Sequence, residues 1–119
     1  MNTMIAEYIK LTTDHGELIQ AGNDKSANKI HSKISSLVKR IRESDPEVKN
    51  EFYKLLTHTN TSVRLWTAIE LIETDTGKSK DVLEEIERDK GVIGLTATSL
   101  LRMWNDGLIE KTDWRKAST

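Results

Sequence analysis

Apolar residues along this chain recur at spacings of three and four rather than two, and they do so in six blocks separated by short polar turns. The first block runs from about Thr3 to Ala21 and aligns Ile5, Tyr8, Ile9, Thr12, Gly16 and Ile19 on one side. Gly16 falls on that inner stripe. Glycine costs about 1 kcal/mol of helix propensity, so its compensation is either the close approach of a neighbouring helix or a kink. Gly22-Asn23 makes the first turn, and Asn23 or Asp24 caps a second helix to about Glu43, with Ala27, Ile30, Ile34, Leu37, Val38 and Ile41 inward.

Asp45-Pro46-Glu47 is a helix start in which aspartate caps, proline fits the first turn and glutamate complements the helix dipole. The third block follows, with Val48, Phe52, Leu55 and Leu56 inward. The fourth, Thr61 to about Thr74, is apolar around most of its circumference and belongs in the middle of the molecule. Thr76-Gly77-Lys78 reads as a break with Ser79 as the next cap, opening a fifth helix to about Lys90 that packs through Val82, Leu83 and Ile86. A sixth, from about Ile93 to Asp106, aligns Ile93, Ala97, Leu100, Leu101 and Trp104 before Gly107 supplies a left-handed stop, with Leu108 placed to fold back on the last turn. The expectation is a single all-α domain over 1–119, with a polar tail over 110–119.

The segment from Leu55 to Ile72 resembles the hinge and second helix of a HEAT-type repeat. A Leu-Leu pair closes one helix, Asn60 caps the turn, Val63-Arg64 open the next helix, and Ala68 and Leu71 permit close approach. The order of Gly16, Gly22-Asn23-Asp24 with Ala27-Asn28, Val63-Arg64-Leu65-Trp66 and Leu101-Arg102-Met103-Trp104 before Gly107 is similar to a bacterial family of small HEAT-like domains of unknown function, from about Tyr8 to Leu108. The resemblance implies three stacked antiparallel helix pairs in a HEAT-like right-handed α-solenoid, with Arg64 pairing to an adjacent repeat. Small helical proteins of this look also occur as immunity proteins that bind and neutralise a cognate bacterial toxin. That is the functional expectation the resemblance brings.

Charge changes the picture in one respect. Eighteen Lys and Arg against nineteen Asp and Glu leave a formal net charge of -1, which argues against bulk affinity for nucleic acid or anionic lipid. The mean hides a polarity. Lys25, Lys29, Lys33, Lys39, Arg40 and Arg42 are the only charged residues between 25 and 42, whereas eight acidic residues fall between Glu70 and Asp89. A basic toxin would meet the acidic face of Glu70, Glu73, Asp75, Asp81, Glu84, Glu85 and Glu87. Trp114, among Lys111, Asp113, Arg115 and Lys116, is either an interface anchor or a ring tucked back against the sixth helix.

Candidate chemistry is sparse. With no cysteine there is no disulfide or thiolate site, and His15, His31 and His58 sit in separate blocks without a second ligand one helical turn away. Gly77-Lys78-Ser79 lacks the upstream glycine and strand of a phosphate-binding loop. Glu70 with Glu73, and Glu84 with Glu85, read as solvated pairs rather than an acid and a base. Trp66 and Trp104 read as core residues. No apolar run reaches the ~20 residues of a membrane span, and the N-terminus lacks a signal-peptide layout. The expectation is therefore a cytoplasmic, non-enzymatic protein-binding module with a protein partner and no cofactor, metal or small-molecule substrate. Two alternatives stand beside it: nucleic-acid binding through the Lys25–Arg42 basic face, and an adaptor or scaffold role in a larger complex.

Overall fold

Five of the six helices begin where an asparagine or aspartate side chain takes a free backbone N–H, so the helix starts follow from local chemistry. In the computed structural model, which describes residues 2–89 and 91–115, α1 (Thr3–Gln20) is capped by Asn2, α2 (Asp24–Arg42) by Asn23 and α3 (Pro46–Lys54) by Asp45. A short 3-10 turn, Leu55–Thr57, extends α3; α4 (Thr61–Glu70) is capped by Asn60 and α5 (Thr76–Ile86) by Asp75. The last helix, α6 (Val92–Asn105), starts at Gly91 without a side-chain cap. Among the described residues there are six α-helices and no strand.

Three expected boundaries move. Asp75, not Ser79, caps α5: its carboxylate accepts from the Lys78 N–H at 3.2 Å, Gly77 lies inside the helix, and Ser79 is fully buried. The fourth helix ends at Glu70 rather than Thr74, and residues 71–75 form turns. The fifth helix likewise ends at Ile86, short of the expected Lys90, with turns at 87–89; position 90 itself and tail positions 116–119 lie outside the described residues.

The two glycine stops are as expected. Gly22 and Gly107 have φ of 75° and 72°, and in each case the next residue's N–H reaches back to a carbonyl five positions earlier, Asn23 to Leu18 at 2.9 Å and Leu108 to Met103 at 2.9 Å. The Leu108 backbone folds back, but its side chain stays exposed. Gly22-Asn23 thus turns α1 directly into α2, and the two long helices pack as a hairpin.

The centre of the molecule is the seam between α1 and α4. Seven of the ten α4 residues are buried, and α4 touches α1, α5 and α6. At Gly16 the two helices approach so closely that a Cβ would lie 1.8 Å from Ser62 Oγ, which settles Gly16 as a close-approach glycine. Tyr8 and Thr67 meet across the same seam at 3.0 Å. Because the Thr67 hydroxyl spends its single hydrogen on the Val63 carbonyl at 2.8 Å, Tyr8 is the donor to Thr67. Tyr8 also packs on Phe52, ring centroids 4.8 Å apart. The radius of gyration, 13.5 Å, equals the value of about 13.5 Å that scaling gives a compact domain of this length. No helix among the described residues is long and apolar enough to cross a membrane.

Candidate functional site

Because α1 folds onto α2 about Gly22-Asn23, residues equally far from the turn face each other. His15 and His31 are eight positions either side of Asn23, and their rings lie 6.3 Å apart. Trp66 of α4 packs against both, at 5.2 Å from His15 edge-on and 5.1 Å from His31. Spacing along the chain separates these histidines and predicts a core position for Trp66. The structure joins all three at the surface, with Trp66 half-buried. Among the described residues no group of three or more His, Cys, Asp or Glu side chains is placed to hold a metal ion.

This trio borders a cleft of about 450 Å³, within the size range of ligand and side-chain pockets. Its floor is one face of α4, where Leu65, Trp66, Ile69 and Glu70 follow helical spacing. Thr96, Leu100 and Met103 of α6 form a wall, and the segment Leu108–Lys111 closes one end. Met103 and Leu108 are 40% and 68% exposed, which puts apolar surface on the rim. Burial, and then the neighbouring His31, hold the His15 pKa below the usual histidine value, so His15 is neutral at pH 7.

Glu70 is the polar group of the floor. Only 8% of the residue is exposed, and its carboxylate accepts from Lys111 Nζ at 2.9 Å. Lys111 belongs to the segment after Gly107, which has no regular structure and runs from the end of α6 back across α4. Beyond it the Trp114 N–H donates to Thr74 Oγ1 at 2.8 Å. The Trp114 ring is 5% exposed and stacks on Phe52 at 4.5 Å and 14°. The ring is therefore buried, and against α3 rather than against the sixth helix; as placed it is no exposed anchor.

The remaining acidic candidates do not line this cleft. Glu73, Asp81, Glu84, Glu85 and Glu87 are exposed. Glu85 pairs with Arg64 of the preceding helix at 2.9 Å, and Glu87 accepts from Thr98 Oγ1 at 3.0 Å. Asp75 faces a second cavity of about 580 Å³ that Tyr53, Trp114 and Arg115 also line. There Asp75 accepts from the Tyr53 hydroxyl as well as capping α5. Those bonds hold the Asp75 carboxyl below the usual range, while burial and the Asp75 carboxylate push Tyr53 up to about 12. On α2, Lys25, Lys29, Lys33, Lys39 and Arg40 are exposed, and none of them makes an ion pair among the described residues. Asn28 is exposed too.

No protein-family model matches this sequence, and none of the curated proteins does. The fold is similar to the crystal structure of the protein RPA1889 from Rhodopseudomonas palustris CGA009, with a TM-score of 0.77 at 21% sequence identity over 92% of this chain and 91% of that one. At that identity the likeness establishes a shared all-helical fold.

Proposed function

We propose that this protein is a non-catalytic binding module that takes an apolar segment of a protein partner into the cleft between α4, α6 and the His15–His31 pair. The observation that carries the reading is the apolar surface on the rim, where Met103 and Leu108 stand 40% and 68% exposed beside the half-buried Trp66. Covering such side chains contributes about 1–2 kcal/mol each, and a few buried anchors of this kind supply most of the energy of an interface. In keeping with the resemblance noted above, we read the helix pairs as a HEAT-like stack and the partner as a cognate toxin domain, neutralised by occupying its working surface.

The acidic residues of α5 then steer a basic partner rather than form the contact itself. The test is co-expression with the products of adjacent genes. The full chain should bind one of them and protect a cell expressing it, whereas the double variant Met103→Glu, Leu108→Glu should lose both effects while retaining its melting temperature. Absence of binding to any adjacent product, or full protection by the double variant, overturns the proposal. The unpaired ridge of Lys25, Lys29, Lys33 and Arg40 supports a second reading, nucleic-acid binding, which fluorescence anisotropy with a DNA or RNA duplex at low salt would show or remove.

A further inference from the structure

We infer that the floor of the cleft is a receptor for a lysine or arginine side chain of the protein partner, with Glu70 as its carboxylate, and that Lys111 holds that place in the free protein. The inference rests on the docking reading above and names the chemistry of the group that enters. Trp66 and Glu70 are one helical turn apart on α4 and both line the cleft. Glu70 has a side chain only 10% exposed, and a carboxylate so placed requires a cation to offset its lost hydration. The cation it uses is not supplied by a helix. It comes from Lys111, on an irregular segment, through a flexible side chain that is itself 30% exposed.

Exchanging one cation for another leaves the count of buried charges unchanged, so the exchange is inexpensive where removal is not. The aliphatic stem of an entering lysine or arginine would lie along Trp66, Leu100 and Met103, as long basic side chains do on apolar surfaces. The other ionisable groups facing the cleft are His15, His31 and Glu110. His15 is neutral at pH 7 and offers no repulsion, and Glu110 adds negative charge at the rim. Lys111, being tethered, competes at an effective concentration in the millimolar range. An isolated alkyl cation therefore binds weakly, and a partner that also covers Met103 and Leu108 displaces Lys111 readily.

The experiment titrates the full chain with n-butylguanidinium and with its neutral isostere n-butylurea, following the Trp66 indole N–H by NMR. Expected is saturable binding of the guanidinium by the wild type with a Kd of roughly 10 mM, as suits so small a ligand, and weaker binding of the urea. Lys111→Met should tighten the guanidinium about tenfold, the worth of one charge-assisted contact released from competition. Glu70→Gln should erase the preference for guanidinium over urea. Equal binding of the two ligands by wild type, or no tightening in Lys111→Met, overturns the cation receptor. Equal binding would leave the apolar docking site standing, since that is tested by the Met103 and Leu108 substitutions. The wild-type preference is the same test without any change at position 111, should that variant fold poorly.

Discussion

Replacing Gly16 by alanine sets local preference against tertiary contact. In an isolated helix the change would stabilise by about 1 kcal/mol. Here the new Cβ would lie 1.8 Å from Ser62 Oγ, 2.7 Å from Ser62 Cβ and 3.8 Å from Ile93 Cδ1. A rotamer change could relieve the hydroxyl contact but not the one to Ser62 Cβ. The Ser62 backbone cannot yield on its own, because Asn60 Oδ1 ties its N–H into the α4 cap at 2.9 Å, so α4 must move as a unit. The two helices would have to part by roughly 0.7 Å at that point to restore ordinary contact, and overpacking of this kind costs about 1–3 kcal/mol beyond the propensity gain. The net expectation is a loss of about 1–3 kcal/mol, or a melting temperature lower by roughly 4–12 °C. Thermal unfolding followed by circular dichroism at 222 nm measures it. Gly77→Ala is the internal control: it lies in α5 with no atom near its would-be Cβ and should stabilise by about 0.4–1 kcal/mol. A Gly16→Ala melting temperature equal to or above wild type would refute the close-approach account. Adding Ser62→Gly should recover part of the loss if the overlap is the cause.

The other predictions concern ionisation and the folded-back tail. Tyr8 and Tyr53 are the two tyrosines of the chain. Burial raises Tyr8 well above its usual 10.0, and Tyr53 rises to about 12, so absorbance at 295 nm should show almost no tyrosinate in the native protein at pH 10 and about half of the full signal once it is unfolded. Because both values are raised on folding, their stabilising contribution is complete below pH 10 and is lost as pH climbs through the folded values, about 12 for Tyr53. Asp75 has the opposite sign. Its carboxyl is lowered, chiefly by the Tyr53 hydroxyl, so its contribution is present above about pH 4 and is lost as pH falls through its folded value; Asp75→Ala should cost about 1–2 kcal/mol through the lost α5 cap. In an NMR titration His15 should gain its proton below pH 6.5, and a midpoint above that would contradict the burial of its ring. Trp114→Ala should destabilise by about 3–5 kcal/mol in urea unfolding, and a loss under 1 kcal/mol would mean that the stack on Phe52 carries little weight.

Helix starts at Asn23, Asp45 and Asn60 and stops at Gly22 and Gly107 were legible because each depends on a side chain or a φ within a few residues of the boundary. Where two cap residues compete within one turn, local rules do not choose. Asp75 prevails over Ser79 because it also receives Tyr53 from α3, a partner 22 positions away. The site was less legible. The facing of His15 and His31 follows from reflecting the chain about Asn23, and that signal was present in the sequence. What placed Trp66 beside them is the crossing of α1 over α4 at Gly16 and Ser62, a tertiary contact with no local trace beyond the glycine itself. Glu70 looked like solvated surface because its cation comes from Lys111, 41 positions later. The stacking of Trp114 on Phe52 was hidden for the same reason.

The hydroxyl contact between Tyr8 and Thr67 spans 59 positions, and that separation has a consequence in time. The hairpin of α1 and α2 closes through neighbours across a two-residue turn and can form within microseconds, while the seam must wait for a much longer loop to close. The seam is thus the late event of assembly. Changes at Tyr8, Gly16 or Thr67 should therefore leave the refolding rate nearly untouched and express themselves as faster unfolding, which makes this joint the determinant of how long the native molecule persists.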